Sequence, residues 1–320
     1  HTKICGNSPR MESVQCLKGI NLATSEFTSD SLVLSFKNQT LFKIPMSKIQ
    51  NSQIINKNDV TLEFPYEDAE PNDDVLCEMR FAFATTKTDG KEEKKGDEEQ
   101  QQTPAEIFNS SIMANAKIGE NAGESIVTLL ELPLIIPRGK YTCDMYKNSC
   151  KLHGATYNFI VQYKHINRAF LLPKPDEMNM MFVLGLEKPM RQGSTSYPYV
   201  IMQFKKDLED TVIPSTKEEY KGLFGGNLQE KYDGPFYEIV VKIFKTIVGI
   251  NVIIPGTDKN PGWKSAKGHS AVKCSVKANE GHLYFLQKSL LFINKPVIYI
   301  KVEEVARADF HRISTMAKQA

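Results

Sequence analysis

The chain has 320 residues, 24% of them charged and 41% apolar, with a formal net charge of +2. That length predicts two or three domains with ample core. The near-neutral balance excludes a polycation built to coat nucleic acid, so any strong charge effect is local. No run of 18 apolar residues and no charged-then-apolar leader is present, which predicts a soluble protein inside the cell.

The first residue is His rather than Met, so the natural start is expected to lie upstream. Residues 1–84 form the first predicted unit. Leu32, Leu34 and Phe36 alternate with Val33 and Ser35; Leu41, Phe42 and Ile44 lead into Pro45; Val60, Leu62 and Phe64 alternate with Thr61 and Glu63; residues 76–83 close a small β-barrel. Glu67, Asp68, Glu70, Asp73 and Asp74 form an acidic loop between two strands. A solvated hairpin tip is its plain reading, and a hook for a basic partner surface its functional one. Residues 85–103 mix both charge signs with almost no apolar side chain and read as a disordered linker. Pro104 then opens a short helix with Ile107, Phe108, Ile112 and Met113 on one stripe, placed at the front of a central domain over 104–250.

Within that domain Lys147 and Asn148 fit a two-residue hairpin turn. Met145 then lies opposite Cys150 and Cys143 opposite Leu152, all on one core face, while Thr142, Asp144, Tyr146 and Lys151 face water. Tyr157, Phe159 and Val161 alternate likewise, Met180 to Leu186 is apolar enough for a central strand, and Tyr199 to Phe204 makes another. Tyr237, Val240, Val241, Phe244, Ile247 and Val248 fall at helical spacing and stop at Gly249. Strands capped by one amphipathic helix follow the plan of a pleckstrin-homology-like barrel. The stretch from Lys188 to Ser196 reads as a polar loop whose Arg191, Gln192, Gly193, Ser194 and Thr195 are candidates for partner contact. Residues 251–268, with Pro255, Gly256, Pro261 and Gly262, read as a linker whose Trp263 packs onto a neighbouring barrel, an exposed binding residue being the alternative. Residues 269–320 begin a second, incomplete barrel: Ala271 to Val276, Leu283 to Leu286, Ser289 to Ile293, Val297 to Val302, and a further strand starting at Phe310. The fold class is mainly β with a few helices, as tandem pleckstrin-homology-like barrels.

Catalytic signatures are missing. The six His residues include no metal-ligand pair, and there is no nucleophile elbow, Walker loop or dinucleotide fingerprint. The six Cys residues are scattered and read as reduced thiols, with no metal and no cofactor expected. Asn38-Gln39-Thr40 and Asn109-Ser110-Ser111 fit the glycosylation pattern and are expected to be idle. Lys140, Lys147, Lys151 and Lys164 suggest a rival, phosphoinositide-binding reading, which His153 and Asp144 weaken.

Several longer segments carry a resemblance: PRGKY, YKNSCKLHG, FLLPKPDEM, RQGSTSYP, QEKYDGPFYEIV, VIIPG and SAVKCSVKANEGHLYFLQKSLLFINKP. In this order they resemble the structure-specific recognition protein family, the small subunit of the FACT histone chaperone, from about Leu22 to Phe310. His153 and Ala155 depart from the turn usual in close relatives. The resemblance implies a nuclear, chromosomal histone chaperone subunit that is not an enzyme. Residues 1–84 would join it to the large subunit, and RQG would lie in a surface for histones and other factors. Implied partners are the large subunit, core histones and nucleosomes, with DNA and replication or transcription factors as further ones and no membrane. A scaffold that binds only the large subunit and other proteins is the alternative. An acidic tail or HMG box, where family members carry one, would lie beyond residue 320.

Overall fold

The computed structural model of the chain describes residues 21–56, 58–65, 75–84, 102–116, 124–155, 157–193, 195–215, 220, 223–257, 263–309 and 311. They belong to two compact units, His1–Gly123 and Glu124–Ala320.

In the first unit, β1 (Thr24–Phe27), β2 (Ser31–Phe36) and β3 (Gln39–Pro45) form one antiparallel sheet. A second holds β4 (Asn51–Asn56), β5 (Asp59–Glu63) and β6 (Glu78–Ala82). Lys37 and Asn38, both at positive φ, make the tight turn between β2 and β3, the backbone twist that suits a two-residue hairpin. Helix α1 (Pro104–Asn115) starts on a capping box: Thr103 Oγ1 accepts from Glu106 N at 3.2 Å, and Glu106 Oε2 accepts from Thr103 N at 2.6 Å. The sequence reading put this helix in the central domain; the structure corrects it. Ala105, Phe108 and Ile112 are buried with Leu32, Leu34, Val60 and Leu62 in the first core. The Phe108 ring lies 5.6, 5.1 and 5.0 Å from those of Phe27, Phe81 and Phe83, so the aromatic edges of this barrel need α1 as their cover.

The second unit holds β7 (Val127–Ile136), β8 (Arg138–Met145), β9 (Ser149–Gly154), β10 (Asn158–Gln162), β11 (Ile166–Pro173), β12 (Asn179–Gln192) and β13 (Thr195–Lys205). Next come β14 (Glu209–Val212), β15 (Tyr232–Pro235), α2 (Phe236–Val248) and β16 (Val252–Ile253). The strand order is β10-β9-β8-β7-β13-β12-β11-β16. Strands β7 to β10 and β11 to β13 thus form two consecutive runs, the first strand pairs with the last, and a C-terminal helix fills the opening: this is a pleckstrin-homology barrel. The first hairpin has the register read from its turn, with Met145 opposite Cys150 and Cys143 opposite Leu152, all four buried. Helix α2 ends on Gly249 at φ +73°, a left-handed position that glycine fills without steric cost. Its Phe244 and Phe236 rings meet Phe182 and Phe204 edge-on, at 5.4 and 5.5 Å.

Four further strands, β17 (Ala271–Val276), β18 (Asn279–Phe285), β19 (Ser289–Ile293) and β20 (Ile298–Lys301), form an antiparallel sheet in sequence order. Its Ala271, Tyr284, Leu286, Leu291 and Ile293 pack on Phe170, Leu172, Met181, Val183 and Ile201 of the central barrel. Phe182 and Leu184 point the other way, toward the barrel interior, so β12 is buried on both faces. That is why its sequence is continuously apolar instead of alternating. Tyr284 Oη donates to the Pro173 carbonyl at 3.0 Å, and the Arg168 guanidinium lies 4.3 Å from the Tyr299 ring centre. Trp263 rests on Phe285 of this terminal sheet, ring centres 5.1 Å apart, and remains 42% exposed. Phe310, the expected start of another strand, lies outside the described residues.

Candidate functional site

The candidate stretch from Lys188 to Ser196 is a strand hairpin rather than a loop. Arg191 pairs with Ser196 and Gln192 with Thr195, and an irregularity between Gly185 and Met190 re-aims the end of β12. Pro189 and Gly193 give this segment the look of a loop, yet Pro189 falls in the irregular register and Gly193, at φ +56°, makes the turn itself. Because side chains alternate, Gln192 and Arg191 point to opposite faces. Met190 is buried on the Gln192 side and Arg191 is exposed on the other. The structure therefore separates the two residues that the sequence groups. Thr195 is exposed on β13, and Ser194 lies outside the described residues, as do Glu67, Asp68, Glu70, Asp73 and Asp74.

Gln192 Oε1 accepts from Tyr197 Oη at 3.1 Å, and both residues line a cavity of about 290 Å³. Its other walls come from Ile135 to Tyr141, Ala155, Tyr157 and, from the β19–β20 turn, Lys295. The floor is aromatic: Phe159 lies beneath, with ring centres 6.0 Å from Tyr141, 5.0 Å from Tyr157 and 6.1 Å from Tyr197. Two glycines make room for Tyr141. A Cβ on Gly154 would sit 2.5 Å from Tyr141 Cε1, and one on Gly139 would sit 3.1 Å from Cε2. Burial, then the neighbouring Tyr197, pushes the Tyr141 phenol pKa upward, so the floor stays neutral. The rim is basic, with Arg138, Lys140 and Lys295. Lys140 is paired with Glu131 at 2.9 Å, whereas no ion pair joins Arg138 or Lys295 to a described carboxylate.

Sequence reasoning missed this cavity, although PRGKY and RQGSTSYP supply most of its wall. The missing signal is the contact between them. The rival lipid cluster fares worse. Lys140 and Lys147 lie at opposite ends of the β8–β9 hairpin. Lys151 lies over the Tyr146 ring at 5.6 Å, and burial lowers its pKa. His153 Nε2 is 3.1 Å from Asp144 Oδ2. The Cys143 thiol, hydrogen-bonded to Cys150 and buried, is held well above its ordinary pKa, in the protonated form that is a poor nucleophile. Among the described residues no three His, Cys, Asp or Glu converge on a possible metal position, and no helix is long and apolar enough to cross a membrane.

Three family models match successive parts of the chain: "Structure-specific recognition protein (SSRP1)" over residues 15–109, "SSRP1 PH domain" over 124–252 and "Histone chaperone Rttp106-like, middle domain" over 270–320. The FACT complex subunit pob3 of Schizosaccharomyces pombe is 39% identical over 310 residues, covering 95% of this chain and 59% of that protein. The chain belongs to the structure-specific recognition protein family. Within the family, the FACT complex subunit pob3 of Emericella nidulans is 37% identical over 328 residues, covering 93% of this chain and 56% of that protein. The chain therefore spans less than two thirds of the length of these relatives. A solved structure titled "Structure of the Spt16D Pob3N heterodimer" is similar at 15% identity and a TM-score of 0.25, covering 58% of this chain and 78% of that one. The family model over 124–252 coincides with the barrel that holds the cavity.

Proposed function

We propose that this chain is the barrel-bearing part of a FACT-type histone chaperone subunit, working on chromatin in the nucleus. The observation that carries the reading is the extent of the similarity: FACT complex subunits align with 93–95% of the chain, and its last segment matches a histone chaperone middle domain. Core histones and nucleosomes are its targets, and the amino-terminal barrel joins it to the large subunit in a heterodimer. DNA and replication or transcription factors are further partners. Histones and DNA attract one another strongly enough that uncontrolled assembly is a hazard, and a protein that covers histone surface with matched contacts moderates that attraction. Modest interfaces on linked barrels act together through effective concentration. No bond chemistry is required. The hairpin-tip residues Arg191, Gln192, Gly193, Ser194 and Thr195 serve as a partner contact, and Glu67, Asp68, Asp73 and Asp74 as the acidic histone hook.

The test is calorimetric titration of the chain with histone dimers and, separately, tetramers near physiological salt. Saturable binding that strengthens as salt falls is expected. Heat no greater than dilution in both titrations would move histone contact to other parts of the protein. It would leave this chain as a scaffold for the large subunit and other factors.

A further inference from the structure

The cavity beneath the hairpin tip has a chemistry of its own. Its volume, about 290 Å³, lies just below the range of roughly 300–1,000 Å³ typical of small-molecule sites, room for one anchoring side chain and too little for a nucleotide with its phosphates. Tyr141, Tyr157 and Tyr197 present aromatic surface to it, and burial keeps the Tyr141 phenol protonated. Above that floor stand Arg138, from the first turn of the barrel, and Lys295, from the terminal sheet. Glu131 pairs with Lys140, whereas no described carboxylate pairs with Arg138 or Lys295. Both are exposed and keep their side chains available.

We propose that this cavity binds a short acidic peptide segment of a partner protein: one aromatic or large apolar side chain enters the pit while flanking carboxylates, or a phosphate, engage Arg138 and Lys295. The inference rests on reading the hairpin tip as a partner contact, and it gives that partner a sign. An apolar anchor in a pocket ringed by polar contacts is the arrangement that concentrates binding energy, and rim charges set orientation and rate of encounter. A basic histone tail would meet like charge here. Duplex nucleic acid needs a long basic track, which a neutral pit rimmed by Arg138 and Lys295 does not offer. The groove along α2, lined by Phe224, Tyr232, Lys242, Lys245 and Ile247, provides a comparison surface with two lysines, of which Lys242 is paired with Glu238 at 3.4 Å, and without a cluster of three tyrosines.

The experiment is fluorescence anisotropy of the full chain with a fluorescein-labelled peptide of Asp and Glu around one Phe. Peptides in which Lys replaces the acids, or Gly the Phe, run alongside. Saturable binding of the acidic peptide is expected, at least about tenfold weaker for either altered peptide, equivalent to about 1.4 kcal/mol. The pair Arg138→Glu and Lys295→Glu should lose about tenfold or more, and Arg138→Gln with Lys295→Gln an intermediate amount. Lys242→Glu with Lys245→Glu should bind like the parent. Equal binding of the acidic and basic peptides, or an affinity untouched by the Arg138 and Lys295 changes, overturns the proposal. So does a short DNA duplex that displaces the peptide and itself depends on Arg138 and Lys295, since the site would then be one for nucleic acid. Histone titration of the same variants separates the two readings. Histone binding kept while acidic-peptide binding is lost supports this site, and histone binding lost with the charge reversals counts against an anion-selective pocket. Peptide binding by a chain that fails to bind histones refutes the chaperone reading alone.

Discussion

Gly154→Ala tests whether the cavity floor is set by the close approach of backbone to Tyr141. The added Cβ would lie 2.5 Å from Tyr141 Cε1 and 2.7 Å from the Tyr157 carbonyl oxygen. The carbonyl belongs to the backbone and yields little, so movement of the Tyr141 ring alone does not relieve the clash. Overpacking of this kind costs about 1–3 kcal/mol. Replacing a glycine also restricts the unfolded chain, which returns about 0.4–1 kcal/mol. The net expectation is a loss of about 1–2 kcal/mol. Trp263, the only Trp in the chain, sits on Phe285 in the same unit, so its fluorescence reports urea unfolding of that unit. With a urea dependence of about 2 kcal/mol/M, inside the usual span for small proteins, the midpoint should fall by about 0.5–1 M. Combining Gly154→Ala with Tyr141→Leu should cost less than the sum of the two changes, because the ring is the shared obstacle. An unchanged or raised midpoint, or strict additivity in the double variant, would refute the argument.

Tyr284→Phe removes the donor that the buried Tyr284 offers to the carbonyl of half-buried Pro173 and should destabilise the second unit by about 1–3 kcal/mol, read from the same Trp263 transition. Thr103→Ala breaks the capping box of α1 and should cost about 1 kcal/mol, visible as faster amide exchange in the first helical turn. Burial, and then Lys174, lowers the pKa of His282 below 6.5 in the folded state, with Asp176 opposing and Lys273 adding to the effect. Between the folded value and 6.5 the unfolded chain binds more protons, so this contribution is complete above about pH 6.5 and is lost as pH falls through the folded value. His282→Gln should flatten that part of the stability profile in urea titrations at stepped pH.

The sequence is most legible where one constraint acts alone. The β8–β9 register follows from a two-residue turn and simple alternation, and α2 from helical spacing with a glycine stop. Legibility fails where two surfaces act on one segment. Asn51, Ser52 and Gln53 of β4 are buried polar residues, satisfied by Glu63 and Asn109 side chains, so no apolar alternation announces the strand. Helix α1 has a clear stripe, but the stripe does not say which barrel it covers. At the hairpin tip, Pro189 and Gly193 suggest a loop because a register irregularity tolerates the first and a tight turn needs the second. The cavity is less visible still, since its walls come from residues 135–141, Ala155, Tyr157, Gln192, Tyr197 and Lys295, and only folding brings them to one place.

The shared wall of β12 bears on how this part of the molecule could have been inherited. A barrel whose outside is Phe170, Leu172, Met181, Val183 and Ile201 would be insoluble company for other proteins if its neighbouring sheet were deleted or transplanted. Recombination that cuts near residues 254–268 would therefore be penalised, however permissive that stretch looks as a joint. Insertions there face a similar filter, because the connecting segment must return the terminal sheet to the same apolar wall. The central barrel and the terminal sheet are thus bound to a single evolutionary fate, and exchange between family members is expected to carry them together.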